Sequence, residues 1–491
     1  MIGRHNKKVT PVSTTWIKQA DWVVAYDAGQ ETHAYMTGAD VVFDGNVISF
    51  VGKGYDGPAD TTIDGKDLMV MPGLVDVHSH PSLEASYRGL REEHGLSNMF
   101  MTGLFERSQA YFPADDDGAK ASAEVAYCEM LLSGVTSLAD LSTPYEGWAD
   151  LMARSGLRSF LAPRYASAKW KLENDIELKY NWDIPGGRHG MDYALKFIDE
   201  LARHPSGRLS GIVFPAQIDT CTEDLLRDSA EVARERGLPV TTHAAQAVSE
   251  FQEIIKRHGK TPIQWAQDIG FLGPNTTIAH AIFIDTHSWI KWWTKKDLGI
   301  LAETGTSVAH CPTPFARYGQ ILENFGDYLR AGVNLGIGTD TTPHNLIEEI
   351  RKAATFARIA SHDIHNVHAA DLFHAATLGG AKALLRDDIG ALAPGKKADL
   401  VLVDLKNVYM MPARDPLRSL IYHAADRAVR DVYIDGQLVV KNGKVMTLNH
   451  QDACERLTEA QQRMMAATRQ RDYLGRTADE ITPIMLPMSA G

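Results

Sequence analysis

Met71-Pro72-Gly73-Leu74-Val75-Asp76-Val77-His78-Ser79-His80 is a short apolar run that ends in two histidines one residue apart. In an extended strand residues i and i+2 point the same way, so His78 and His80 face one side. Pro81 follows at once and stops the strand. Two imidazoles at the end of a buried strand form a metal-binding pattern. At the C-terminal end of a barrel strand they aim into the active-site mouth.

Outward from this stretch the chain repeats a strand-then-helix rhythm over about residues 71–390. GVTSLADLS (134–142) follows the helical EVAYCEMLLS, and LPVTTHAAQ (238–246) follows LLRDSAEVARERG. NTTIAHAIF (275–283), TSVAHCP (306–312) and GVNLGIGTD (332–340) come next. Short, buried-looking apolar runs followed by polar or turn residues are the habit of parallel strands joined by helices. A segment of roughly 320 residues suits an eight-stranded (β/α)8 TIM barrel with insertions better than an open sheet.

Both ends of the chain read differently. ADWVVAY, ADVVFDG and NVISFVGKG near the start, and KKADLVLVDL and RDVYIDGQLVVKNGKV near the end, are β-rich. Asp44-Gly45, Asp435-Gly436 and Asn442-Gly443 mark hairpin turns. The expected architecture is α/β: a barrel over 71–390, a small β-sandwich domain composed of 1–70 and 391–450, and a helical tail over 451–491.

Composition bounds the function classes. Of 491 residues 44% are hydrophobic and 23% charged, ordinary for a globular chain, and the net charge of −12 is scattered. That disfavours a nucleic-acid or anionic-membrane partner and leaves a small-molecule substrate. No run reaches the roughly 18 apolar residues a membrane span needs. The basic N-terminus lacks the apolar segment of a secretory signal. Cys128, Cys221, Cys311 and Cys454 lie far apart, which fits packed thiols, no disulfide framework and a cytoplasmic location.

Three further strands end in a polar residue: His243 after PVTT, His280 after TTIA and Asp340 after LGIGT. Convergence of these residues with His78 and His80 on one point suits a divalent ion, Zn²⁺ first, with Fe²⁺, Co²⁺ and Mn²⁺ as competitors.

The sequence resembles the amidohydrolase superfamily, in the branch of triazine hydrolases, cytosine deaminase-like enzymes and imidazolonepropionase. The resemblance rests on MPGLVDVHSH, GVTSLAD, TTHAAQ, IAHAIFID, AHCPTPFARYG, GVNLGIGTD, ATLGGAKAL and IGALAPGKKADLVLVDL, in family order. It implies a distorted barrel and one metal ion held by His78, His80, His243 and Asp340. His280 is then a catalytic neighbour of the ion, and the assembly a homodimer or larger oligomer. The segment of the fourth strand, residues 211–217, has neither the lysine nor the glutamate of binuclear members, so a mononuclear site is implied.

Three residues past His243, deaminases and triazine hydrolases of this branch carry glutamate, where this chain has Gln246. An amide orients a substrate but does not shuttle a proton. The expected reaction is therefore metal-assisted hydrolysis of a non-peptide C–N bond in an amide, urea, carbamate or cyclic amide. Asp340 acts as general base, His280 polarises the substrate oxygen and Gln246 orients the substrate. Deamination or dechlorination of a nitrogen heterocycle is the alternative; a non-haem iron oxygenase or a non-catalytic metal-binding protein stands outside the class. Candidate substrate contacts are Gln217, Arg88, His310, Thr313 and His344. Most of the charged loop from Tyr87 to His94 reads as a solvated helix face, and SHDIHNVH (361–368) as a helical surface. Trp289, Trp292 and Trp293 read as packing or an interface.

Overall fold

The computed structural model describes residues 13–113 and 115–489, a mixed α/β fold. Eight short strands run through its middle: β1 (Leu74–Ser79), β2 (Val135–Asp140), β3 (Arg158–Leu161), β4 (Leu209–Gly211), β5 (Val240–Ala244), β6 (Thr276–His280), β7 (Ser307–His310) and β8 (Leu335–Ile337). Apart from Ser210 every residue in them is buried, as expected of parallel strands covered on both faces.

One parallel sheet has the order β4-β3-β2-β1 and another β5-β6-β7-β8. Parallel bridges just past the strand ends connect them: Val213↔Val240 and Gln217↔His243 on one side, Ser79↔Asp340 on the other. The pairing thus returns to its starting strand. Side-chain alternation divides the core accordingly. Val75, Val77, Ala139, Phe160 and Ala309 form one cluster, whereas Leu74, Leu138, Leu161 and Val308 join the larger one with the helices. The helices start and stop on local signals. Asp115 caps Asp116–Leu132 through the Gly118 amide, Thr222 caps Glu223–Arg236, and Gly237 ends that helix at φ 63°.

The two ends of the chain meet in a seven-stranded sheet, where Leu68–Pro72 pairs antiparallel with Leu400–Asp404. A four-stranded sheet of N-terminal strands shares its core through Ile17, Val41, Phe43, Val70, Leu400 and Leu402. Asp435-Gly436 and Asn442-Gly443 turn with both residues at positive φ, the twist that a two-residue hairpin needs. The tail helix His450–Arg471 lies on Asp116–Leu132 through Ala121, Val125, Ala453 and Leu457. The four cysteines are free thiols. No helix among the described residues is long and apolar enough to cross a membrane.

Two local readings need correction. The helix Leu346–Ser361 ends on the first residue of SHDIHNVH because His362 turns left-handed at φ 53°, so the rest of that stretch is a loop. The loop after β1 is a solvated face only in part: Tyr87 and Arg91 are buried, while Glu92 and Glu93 are exposed. Trp292 packs edge-on against Phe251, while Trp293 is 79% exposed.

Arg158, in β3, ties the parallel strands to the sheet made from both ends. Its Nε and Nη2 donate to Asp399 at 2.8 and 3.1 Å, and Nη2 to Asp435 at 2.9 Å. Arg158 and Asp399 are both buried. Removing one partner of such a pair leaves an uncompensated charge inside. Arg158→Ala is therefore expected to lower stability by about 3–5 kcal/mol in urea denaturation. A loss below about 1 kcal/mol, the scale of an exposed pair, would contradict this account.

Candidate functional site

His78 is the penultimate residue of β1 and His80 follows its end; His243 lies in β5, His280 ends β6, and Asp340 stands three residues beyond β8. Their rings and carboxylate converge. His78 lies 5.0, 4.8 and 4.9 Å, centroid to centroid, from His80, His243 and His280. Asp340 Oδ1 is 3.4 Å from His80 Nε2 and 3.7 Å from His78 Nε2. Potential ligand atoms of His78, His243 and His280 lie within 4.8 Å of one another, as do those of His78, His80 and Asp340.

The backbone at this end is locked and strained. Buried Asp76 accepts hydrogen bonds from the amides of His78 and Thr339, both at 3.1 Å, and from Thr339 Oγ1 at 2.7 Å. The Asp340 amide donates to the His78 carbonyl at 2.8 Å. Ala245, His280 and Asp340 take positive φ values of 53°, 84° and 56°, conformations that L-residues keep only where the surroundings over-determine them. A Cβ on Gly338 would stand 2.8 Å from the His78 Cβ and 2.9 Å from Cys311 Sγ, so only glycine lets β8 approach this closely.

Hydrogen bonding fixes what these rings offer. His243 Nδ1 donates to the Ala216 carbonyl at 2.6 Å, and His80 Nδ1 to the Leu141 carbonyl at 3.0 Å. Both Nε2 atoms are then lone-pair donors, and they face each other at 3.2 Å. Both ring nitrogens of His78 are buried with no hydrogen-bond partner. Burial lowers the pKa of His80 to about 4 and of His243 to about 3, and holds His78 and His280 well below the ordinary value. Burial also raises Asp340 to about 7. Neutral lone pairs and one carboxylate, buried together, fit a divalent cation.

The site opens into a cavity of about 770 Å³ lined by His80, His243, His280, Asp340, Gln217 and Gln246. Gln217 Oε1 accepts from Thr220 at 3.2 Å, while the Gln246 amide nitrogen is buried without a partner. The other candidate contacts are engaged elsewhere and, among the described residues, do not line the cavity. Arg88 and His344 both bind Glu129, Thr313 binds Glu349, and the His310 ring packs on Phe325.

Sequence reasoning missed the wall opposite. Glu84 lines the cavity and pairs with Arg107 at 2.6 Å and with Arg91. Burial works against its charge, but Arg107 and Arg91 outweigh that and hold Glu84 at about 2. Arg164 also lines the cavity, exposed to it and with no acidic partner among the described residues. Beside it Trp170 donates Nε1 to Asp219 at 2.8 Å. The only signal available for Glu84 was its place four residues after His80.

Residues 69–439 match the amidohydrolase family. The chain is 30% identical over 404 residues to a 5-methylthioadenosine/S-adenosylhomocysteine deaminase of Haloarcula marismortui, covering 82% of this chain and 88% of the relative. Among solved structures it is similar to an adenosine deaminase from Xanthomonas campestris with bound zinc (TM-score 0.78, 24% identity, 93% of this chain and 100% of that one). It is also similar to triazine hydrolase from Arthobacter aurescens (TM-score 0.76, 22% identity, 91% and 99%). The chain belongs to the amidohydrolase family, which makes it a hydrolase and sets aside the oxygenase and non-catalytic readings.

His78 belongs to two of the three candidate ligand groups. His78→Ala is expected to leave less than about a tenth of the wild-type metal content by elemental analysis, within the range set by loss of a site component. His280→Ala should retain the ion. Proton competition begins at Asp340, which burial raises to about 7, well before His80 and His243 at about 4 and 3, so metal affinity should be full at pH 8 and weaken as the pH falls through about 7. Affinity unchanged between pH 8 and pH 5.5 would contradict Asp340 as a ligand.

Proposed function

We propose that the chain is a mononuclear metal-dependent hydrolase that cleaves a non-peptide C–N bond in a small nitrogen-containing molecule. The reading places a distorted (β/α)8 barrel at 71–390, a composite β-sandwich at 1–70 and 391–450, and a tail at 451–491. His78, His80, His243 and Asp340 hold the ion, Zn²⁺ before Fe²⁺, Co²⁺ or Mn²⁺. A cytoplasmic homodimer or larger homo-oligomer is the expected state. The observation that carries the proposal is the pair of facing Nε2 lone pairs, 3.2 Å apart beside Asp340.

A bound divalent ion supplies Lewis acidity and makes water a nucleophile near neutral pH. Asp340 takes the proton of the attacking water at Oδ1 or Oδ2 and returns it to the leaving nitrogen. His280, kept neutral by burial, donates one N–H to the substrate oxygen as negative charge develops there. Gln246 orients the substrate. The Arg164 guanidinium, open to the cavity and without an acidic partner among the described residues, favours a substrate with an anionic or strongly polar group. Cleavage of an amide or urea fits Gln246, which has no proton to shuttle. Deamination of an amino-heterocycle is the second reading, supported by the deaminase name of the Haloarcula relative.

Three probes separate the readings on metal-loaded protein: 4-nitroacetanilide, phenylurea and 5′-methylthioadenosine, with amine and ammonia measured separately. Amide or urea cleavage is expected, with Gln246→Ala costing roughly 1–3 kcal/mol in kcat/KM and Gln246→Glu bringing no gain. Faster ammonia release from 5′-methylthioadenosine in Gln246→Glu would transfer the assignment to deamination.

A further inference from the structure

After His243 the chain runs Ala244-Ala245-Gln246-Ala247 into the helix Val248–His258. Glu250 sits on the buried face of that helix, with none of its surface exposed. Its Oε1 accepts the Ala245 amide at 2.7 Å and its Oε2 the Gln246 amide at 3.1 Å. Among the described residues the charged group that faces it is Asp219, a like charge rather than a cation. A buried carboxyl without a cation is costly, so its two amide partners have to justify it.

Helix capping does not account for the geometry. A glutamate three positions into a helix ordinarily reaches back to the amide of the N-cap residue. Ala247 is the N-cap here, and Glu250 bonds instead to the two residues before it. Ala245 is left-handed at φ 53°, a conformation alanine does not keep unaided. The Ala245 carbonyl in turn accepts the amides of Ile282 and Phe283 at 2.9 and 2.8 Å, directly behind His280. One turn therefore sets both the Gln246 side chain and the chain that follows His280.

We propose that Glu250 is a positioning residue, whose carboxyl holds the Ala245–Gln246 turn so that Gln246 meets the substrate and the segment after His280 keeps its register. This rests on the hydrolase reading above for its kinetic consequence, but not for its structural one.

The test combines Glu250→Gln, Gln246→Ala and the double variant, all metal-loaded, on whichever of the three probes the wild type hydrolyses. Glu250→Gln replaces one acceptor by an NH₂ group facing an N–H. It is expected to lower kcat/KM by roughly tenfold in the wild-type background and by less than about twofold in the Gln246→Ala background, as for residues acting through one another. Metal content should stay unchanged. Hydrogen exchange supplies an arm independent of turnover: amides at 245–246 and 282–283 should exchange at least about tenfold faster in Glu250→Gln, with those at 252–258 unchanged. Equal losses of activity in both backgrounds, unaltered exchange at 245–246, or uniform loss of protection along the whole helix would each overturn the proposal. If no probe is hydrolysed, the hydrolase reading fails its own test while exchange still decides the role of Glu250.

Discussion

Buried Asp76 accepts two backbone amides and one hydroxyl, and these bonds tie the end of β1 to the end of β8. Five groups of the site depend on that contact, directly or through the strands it aligns. His78 and His80 sit on one side of it and Asp340 on the other, so their separation is fixed by backbone pairing rather than by flexible side chains. His243 and His280 come into reach because the pairing continues from strand to strand around the circuit. A carboxylate does this work well. It accepts from several donors at once, and these bonds offset only part of the burial that raises its pKa to about 7.

The site is built at an energetic cost that the rest of the fold sustains. Four imidazoles and a carboxylate are desolvated together, and His280 and Asp340 among them, with Ala245 and Ala281 alongside, hold positive φ. Such concentrations of strain and unpaired lone pairs persist where structure serves chemistry rather than stability. The cavity wall is organised differently. Glu84 is satisfied by two guanidinium groups, whereas Arg164 is left open to whatever enters.

Much of this was legible in the sequence. The strand-end histidines and Asp340 stood out because four apolar runs rarely all end in His or Asp by accident, and motif order placed the family. The hairpin dipeptides of the C-terminal strands were also readable, because positive φ restricts the residues that fit. Arg88, Thr313 and His344 were nominated from their nearness in sequence to the ligands, yet Glu129 and Glu349, which claim them, come from distant helices. Glu84, Arg107 and Arg164 look like ordinary surface charge in a linear reading. Only tertiary packing shows that two of these cluster in a buried network and one does not. The loop at SHDIHNVH failed for a local reason, since a left-handed histidine ended the helix where composition favoured its continuation.

The antiparallel pairing of Leu68–Pro72 with Leu400–Asp404 bears on how the chain reaches this state. β1 begins two residues after that pair's N-terminal strand, so the strand that carries His78 is anchored to a partner far later in the chain, at Leu400–Asp404. Contacts of such long sequence separation form late, because loop closure must precede any gain from them. Until then Leu68–Pro72 is an apolar strand with one edge unpaired, a template for association with other chains. Protection of that edge therefore matters until Leu400–Asp404 is made, and convergence of His78 with the other strand-end residues is coupled to the arrival of that strand.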